Sequence, residues 1–232
     1  NNLRKIDKNS KEKLVNQIFS DVSQKYDVMN DIMSFGLHRI WKKNLVDLIK
    51  LSPDKVVLDL ATGSGDIIKI IKKKSDCLCF GYDSNLDMIN EAKKKNLKST
   101  FFICGKSEKM PFSENTFDYV VVSFGLRNFS DINKSLKEVF RILKPGGKFF
   151  CLEFSQINSP SLRKLFSLYN KIIPKFGKFI SNNQYAYEYL IKSIEIFPNQ
   201  IKLSKILLEC DFKKIEVFDI IDGLSSIHIA DK

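Results

Sequence analysis

The chain has 232 residues, a formal net charge of +11 at pH 7 and a hydrophobic fraction of 44%. This length suits one α/β domain with a sizeable core, and no apolar run approaches the roughly 20 residues of a membrane span. The polar first residues lack the apolar stretch of a secretory signal. Because the chain does not begin with Met, the presence of an organelle transit peptide upstream is an open alternative.

Charge and cysteine usage limit the class of partner. Lysine is spread along the whole chain, and no arginine-rich stripe or aromatic platform stands out, so the positive charge does not favour nucleic acid. The cysteines form no C-x-x-C pair and have no histidine beside them in sequence. We therefore predict buried free thiols in a reducing compartment, and no metal ion.

In chain order, a helical region over residues 11–50 comes first. Short apolar runs that alternate with amphipathic stretches follow it and predict five strands: Val56–Ala61, Leu78–Asp83, Ser99–Gly105, Phe117–Phe124 and Lys148–Phe154. Between the last two we predict a helix from about Asp131 to Leu143 and a tight turn at the sequence KPGG. Two further runs, Lys213–Ile220 and Ser226–Ala230, predict a hairpin.

Strands that alternate with helices favour a parallel sheet covered on both faces. We therefore predict an α/β fold with a Rossmann-like, doubly wound and mostly parallel seven-stranded sheet whose last strand is antiparallel. No repeat or linker divides the chain, so residues 1–232 are predicted to form a single domain. We expect a helical N-terminal cap over residues 1–50 and a helical insertion over residues 155–210, after the fifth strand.

The ends of the first two strands predict a nucleoside site. The first strand ends in the sequence DLATGSGD, in which Gly63 and Gly65 permit a tight turn and close approach of a ligand to the backbone. The second strand ends in Asp83, where a carboxylate can accept hydrogen bonds from ribose hydroxyls. Because residue 68 is Ile and the full G-x-G-x-x-G is absent, a single nucleoside is favoured over a dinucleotide.

Several blocks carry a family resemblance. The strand-end motifs, with SEKMPF, FDYVVVSFGLRN and RILKPGGK, are similar to those of class I S-adenosylmethionine (SAM)-dependent methyltransferases. The sequence then resembles the ubiquinone/menaquinone biosynthesis C-methyltransferases, the UbiE/MenG family, from about Val15 to its end. The blocks that carry the resemblance to this particular family are YDVMNDIMSFGLHRIWK, SFGLRN, CLEFS and YEYLIKSIEIFPNQ.

The resemblance implies a set of site residues and a helical insertion over the active site. SAM would be bound by Asp59, Gly63, Ser64, Gly65, Asp83, Lys106, Ser107 and Ser123. Lys106 departs from the family, in which Asn or Ser is usual there, and it would act through its backbone. In catalysis, Arg127 would stabilise a developing phenolate and Asn128 would orient a ring oxygen, while Tyr26 and Asp27 would contact substrate or close over the cofactor. A loop ion pair for Arg127, and helix capping for Tyr26 and Asp27, are the alternatives. No general base emerges.

The implied activity is SAM-dependent C-methylation of a polyprenyl benzoquinol, of the 2-methoxy-6-polyprenyl-1,4-benzoquinol type, in ubiquinone biosynthesis. C-methylation of demethylmenaquinol in menaquinone biosynthesis is the first alternative. A nucleic-acid methyltransferase is disfavoured, since SFGLR stands where an N/D-P-P-Y-like motif is common, and the chain has no Pro-Cys pair. A noncatalytic scaffold of the same fold is disfavoured by the intact cofactor loops.

The expected partners follow from this activity. They are a lipid quinol, a membrane surface, other quinone-biosynthesis enzymes and a second copy of the chain, but no nucleic acid. The segment Leu162–Ile180 mixes large apolar residues with basic ones and has no acidic residue, which is typical of a membrane-docking stretch. Packing of the insertion over the sheet is the alternative. We expect a location at the cytoplasmic face of a bacterial membrane or, if a transit peptide precedes the chain, at the matrix side of the mitochondrial inner membrane.

Overall fold

A computed structural model describes residues 8–22, 31, 34, 36–168 and 184–232. The helices in these ranges are α1 (Lys8–Val22), α2 (Leu37–Asp47), α3 (Asp66–Lys72), α4 (Leu86–Lys93), α5 (Ile132–Ile142), α6 (160–168), α7 (Gln184–Ile196) and α8 (Gln200–Glu209). The strands are β1 (Val56–Leu60), β2 (Leu78–Asp83), β3 (Thr100–Cys104), β4 (Phe117–Ser123), β5 (Leu143–Phe154), β6 (Lys213–Ile220) and β7 (Ser225–Asp231).

The strands form one seven-stranded sheet in the order β3-β2-β1-β4-β5-β7-β6. Strands β1 to β5 pair in parallel, whereas β7 is antiparallel to both β5 and β6. The predicted Rossmann-like sheet with an antiparallel last strand is therefore confirmed, as is the C-terminal hairpin. The sheet order reverses between β1 and β4, and in such sheets ligands bind at the carboxyl ends of the strands beside this point.

Helices pack on both faces of the sheet because their apolar residues recur at helical spacing. In α5, Leu136 and Val139 are both fully buried against the sheet, as a spacing of three residues on one helix face allows. Asp131 caps the start of this helix, since its side chain accepts a hydrogen bond from the backbone N–H of Lys134. The predicted helix is thus found in its expected place.

The predicted turn at KPGG lies inside β5 and not before it. The structure continues β5 back to Leu143, and the pairing register shifts within this stretch, so that Phe117 pairs with Leu143 but Tyr119 pairs with Lys148. The extra residues form an irregularity in the ladder. Gly146 adopts a positive φ of 76° there, directly after Pro145, as a tight turn with proline and then glycine at its centre requires. The strand start predicted at Lys148 is therefore wrong, whereas the chain does bend at KPGG.

Four of the cysteines are buried free thiols, as predicted, but Cys104 is exposed. Its exposure follows from its position, because it ends β3 and β3 is the edge strand of the sheet.

The N-terminal helix α1 lies against α4, close to the carboxyl edge of the sheet. Val15 and Ile18 of this helix are buried, and their spacing places them on one face of the helix. Among the residues that the structure describes, no helix combines the length and the apolar character needed to cross a membrane.

Candidate active site

A pocket opens at the carboxyl ends of β1, β2, β3 and β4. Its empty volume is about 760 Å³ when the space open to solvent is included. Helix α1 contributes Val15 and Asn16 to its lining. The strand ends, the loops that follow them and the first turn of α4 contribute the other lining residues: Leu60, Ala61, Gly63, Tyr82, Asp83, Ser84, Asn85, Met88, Gly105, Lys106, Ser107, Glu108, Phe124, Gly125, Asn128, Phe129 and Ser130.

The loop after β1 presents backbone to the pocket. Gly63 and Gly65 have φ values of 53° and 82°, which L side chains rarely adopt. Beneath the loop, the carboxylate of Asp59 accepts a hydrogen bond of 2.6 Å from the Thr62 hydroxyl. Burial raises the pKa of Asp59 to about 7, against the opposing effects of the Thr62 hydrogen bond and Lys42. Asp59 does not line the pocket, and it instead fixes the shape of the loop.

Asp83 faces the pocket from the end of β2. One carboxylate oxygen accepts a hydrogen bond of 2.9 Å from the backbone N–H of Gly63, and the other accepts one of 2.9 Å from that of Asn85. Burial raises the pKa of Asp83, while these backbone donors oppose the increase. Since each carboxylate oxygen has a second lone pair, the fixed group retains the capacity to accept hydrogen bonds from two ribose hydroxyls.

The loop after β3 closes a further side of the pocket. A Cβ atom at Gly105 would lie 2.0 Å from the hydroxyl oxygen of Tyr82, so a larger residue cannot occupy this position without a shift. The Tyr82 hydroxyl donates to the backbone carbonyl of Lys106 at 3.2 Å. The Ser107 hydroxyl lies 2.8 Å from that of Ser135. The backbone of Lys106 is thereby held at the pocket wall.

Helix α1 forms hydrogen bonds with residues on two sides of the pocket. The side chain of Asn85, beyond the end of β2, donates to the backbone carbonyl of Asn16 at 3.0 Å and to the Ser20 hydroxyl at 3.0 Å. On the other side, the Lys11 ammonium donates to the backbone carbonyl of Phe129 at 2.7 Å. Burial lowers the pKa of Lys11, and the nearby Glu108 opposes this effect. The helix therefore spans the pocket as a cover.

The turn after β4 is anchored by a buried ion pair. The Arg127 guanidinium lies 2.8 Å from the carboxylate of Glu153, and each side chain is 1% exposed. The same carboxylate accepts the backbone N–H of Arg127 at 3.1 Å, and the guanidinium also donates to the backbone carbonyl of Phe124 at 2.6 Å. A buried guanidinium requires such partners, because an unpaired charge there is costly. Arg127 therefore points toward β5, and it does not line the pocket.

Asn128 follows Arg127 and does line the pocket. Its side-chain oxygen accepts a hydrogen bond of 3.1 Å from the hydroxyl of Tyr189, which lies on α7. Tyr189 is only 5% exposed, and burial raises its pKa to about 12. Tyr189 of α7 thus contacts the turn after β4. It belongs to residues 155–210, the segment that the sequence analysis identifies as an insertion.

The structure brings together part of the predicted site. The predicted residues that line the pocket are Gly63, Asp83, Lys106, Ser107 and Asn128. Those outside the lining are Asp59, Ser64, Gly65, Ser123 and Arg127. The position of Arg127 does not support the predicted contact with a developing phenolate, since Glu153 holds its guanidinium outside the pocket lining. Arg127 does form an ion pair, as in the alternative, but this pair is buried. Tyr26 and Asp27 lie outside the described residues. The catalytic and binding roles themselves stay predictions.

The residues that sequence reasoning missed include three that make defining contacts, namely Lys11, Glu153 and Tyr189. Glu153 and Tyr189 belong to the CLEFS and YEYLIKSIEIFPNQ blocks, so the resemblance marked their segments but not their contacts. Lys11 had no signal, because one lysine among many on a basic helix has no distinguishing pattern.

Comparison with known proteins agrees with this geometry. The sequence model described as the ubiE/COQ5 methyltransferase family matches residues 7–232. The chain is 42% identical over 241 residues to the ubiquinone/menaquinone biosynthesis C-methyltransferase UbiE of Rickettsia bellii, with 99% of this chain and 96% of that protein covered. It is 45% identical over 231 residues to the UbiE protein of Wigglesworthia glossinidia brevipalpis, with 96% and 92% covered.

The fold is also shared with solved structures. A SAM-dependent methyltransferase from Aquifex aeolicus superposes with a TM-score of 0.64 at 17% sequence identity, over 90% of this chain and 96% of that one. At this identity the likeness concerns the fold, and the assignment of family rests on the sequence matches.

Proposed function

The chain belongs to the ubiE/COQ5 methyltransferase family and is a SAM-dependent C-methyltransferase, and from that premise we propose that it methylates a ring carbon of a polyprenyl benzoquinol. The substrate would be of the 2-methoxy-6-polyprenyl-1,4-benzoquinol type, in ubiquinone biosynthesis. The observation that carries the proposal is the pocket at the sheet edge, which Asn128 lines together with Phe124 and Phe129. A mostly apolar lining that includes this one amide fits a substrate that is mostly hydrocarbon but has ring oxygens.

The residues around the pocket fit SAM. Gly63 and Gly105 give a ligand close approach to the backbone on two sides, and Asp83 has acceptor capacity left for ribose hydroxyls. When bound, SAM supplies an electrophilic methyl group to the nucleophilic atom of the substrate.

The chain itself has three tasks in such a reaction. Helix α1 covers the pocket through Lys11 and Asn85, which helps to exclude water. The loops hold the reactants in a fixed orientation. Asn128, at the pocket wall, can donate to a ring oxygen as negative charge develops on it. The Arg127–Glu153 pair fixes the turn that carries Asn128.

A transfer assay tests the proposal. Purified protein is incubated with methyl-labelled SAM and, in parallel, with the methoxy-polyprenyl benzoquinol, with demethylmenaquinol or with RNA. We expect label on a ring carbon of the benzoquinol, located by mass spectrometry of the product. Label on demethylmenaquinol alone would show that the substrate belongs to menaquinone biosynthesis instead. We include this substrate because the names of the relatives mention both ubiquinone and menaquinone. Label on RNA alone would refute both.

We also propose that the enzyme collects this lipid at a membrane surface. Helix α6 exposes Leu165 by 66% and Leu168 by 55%, and Arg163 and Lys164 precede them on the same helix. Such a basic amphipathic stretch can lie at an anionic interface. The rest of the segment Leu162–Ile180, from residue 169 onward, lies outside the described residues.

Vesicle co-sedimentation tests membrane contact with a matched control. Changing Leu165 and Leu168 together to Ser is expected to reduce sedimentation with anionic vesicles. The same change at Ile201 and Leu208, which are 69% and 55% exposed on α8, should leave it unaltered. Equal recovery of wild type in the supernatant with and without anionic vesicles would contradict the proposal. A second copy of the chain, other quinone-biosynthesis enzymes and the two candidate compartments stay predictions.

A further inference from the structure

The contact between Tyr189 and Asn128 determines how the amide of Asn128 is presented to the pocket. The Tyr189 hydroxyl donates to the side-chain oxygen at 3.1 Å. The side-chain oxygen therefore points toward α7, and the opposite end of the amide carries its two N–H donors. Among the described residues, no acceptor takes a hydrogen bond from that nitrogen.

The surroundings of Tyr189 keep its hydroxyl protonated and buried, so that its proton needs an acceptor. The side chain is 5% exposed, and burial raises its pKa to about 12. Arg127 and Glu153 are the charged groups that act on it, in opposite directions. The hydroxyl consequently retains its proton at any pH near neutrality, and the buried phenol needs an acceptor, which Asn128 provides.

We propose that Tyr189 is a positioning residue, which fixes the amide of Asn128 so that an N–H donates to the ring oxygen of the quinol. This inference rests on the proposed function, because it assigns a role at the same site. The orientation matters chemically. If the Asn128 amide were rotated by 180°, its carbonyl oxygen would face the ring oxygen of the quinol. This ring oxygen becomes negative in the reaction, so the two oxygens would repel each other. Removing the hydroxyl of Tyr189 removes the contact that selects between the two orientations.

The test replaces only the hydroxyl. In Tyr189→Phe the ring still fills its buried site, so we expect the melting temperature to stay close to that of wild type. Turnover at saturating SAM and quinol should fall about 10- to 100-fold, while the KM for quinol and the Kd for SAM change less than about threefold. The matched control is Ser193→Ala on the same helix. It also loses a buried hydroxyl, but this one donates only to the backbone carbonyl of Leu190, and turnover should be unaffected.

A double variant separates positioning from packing. If Tyr189 acts through Asn128, then Tyr189→Phe should cause little further loss once Asn128→Ala is present. Full additivity of the two losses, or normal turnover in Tyr189→Phe while wild type is active, overturns this inference and leaves the proposed function intact. Wild type that binds SAM but methylates neither quinol overturns the proposed function, and this inference with it. The assay uses a short-chain prenyl benzoquinol in detergent, so that membrane docking does not affect the comparison.

Discussion

The two halves of the pocket are held by contacts of different reach. In the half formed by the loops after β1 and β2, Asp83 accepts hydrogen bonds from Asn85, two residues away, and from Gly63, 20 residues away across one βαβ unit. In the half formed by the turn after β4, Arg127 depends on a carboxylate 26 residues further along the chain, and Asn128 on a hydroxyl 61 residues further along. The first half is built within one motif, whereas the second is assembled by the tertiary fold.

Each half should therefore respond differently to substitution. In the first half, Asp83 faces the pocket and is held by backbone donors, so its removal should alter SAM affinity with limited effect on stability. The second half uses buried charge and a buried phenol, so changes there should affect stability or turnover. Four substitutions are given in order of decreasing expected effect. Glu153→Ala and Asp83→Ala test the division between the halves, Asp59→Asn tests the buried carboxyl beneath the first, and Lys11→Met tests the cover.

Glu153→Ala should have the largest effect. It leaves the Arg127 guanidinium buried without its partner, and breaking a buried pair in this way costs about 3 to 5 kcal/mol of folding free energy. Denaturant unfolding measures the loss. As a control, Glu91→Ala, which removes the more exposed pair with Lys94 at the end of α4, should cost about 1 kcal/mol or less. Equal losses in the two variants would show that the Arg127–Glu153 pair has no special structural role.

Asp83→Ala should weaken SAM binding by about 1.5 to 3 kcal/mol, the usual loss for hydrogen bonds to a charged group. Turnover at saturating SAM should change much less, because Asp83 holds the cofactor and not the reacting ring. Isothermal titration calorimetry gives the affinity. Unchanged affinity in this variant would remove Asp83 from the cofactor site.

Asp59→Asn should change how stability depends on pH. The folded-state pKa of about 7 lies above the usual value for Asp, so wild type loses stability as the pH rises from about 4 to 7. An Asn cannot ionise, and the variant should gain about 2 kcal/mol relative to wild type between pH 5 and pH 8. Unfolding experiments at the two pH values provide the comparison. Parallel stability curves for the two proteins would mean that Asp59 is ionised throughout.

Lys11→Met should have the smallest effect, because it acts on the cover that joins the two halves. The variant keeps most of the aliphatic length but loses the hydrogen bond to the Phe129 carbonyl. We expect SAM affinity to fall by about 0.5 to 1.5 kcal/mol, mainly through faster dissociation. Stopped-flow release of SAM is the measurement, and an unchanged dissociation rate would show that α1 does not retain the cofactor.

The same division explains what the sequence could predict. The sequence predicts the order of the strand-end motifs and the pocket residues Gly63 and Asp83. Each of these signals lies within a few residues of a strand end. The partners Glu153 and Tyr189 could not be found, since periodicity reports burial but does not say which buried groups meet. Arg127 shows the consequence most clearly. Its position after β4 was correct, but the direction of its side chain depended on a carboxylate from another strand.

The most direct test of this account measures two properties in two variants. SAM affinity and turnover at saturating SAM and quinol are determined for Asp83→Ala and for Tyr189→Phe. We expect opposite patterns in the two variants. Asp83→Ala should lose SAM affinity and largely retain turnover. Tyr189→Phe should retain SAM affinity and lose about 10- to 100-fold in turnover. If both variants lose affinity and turnover in the same proportion, the two halves of the pocket do not have separate roles, and the account is contradicted.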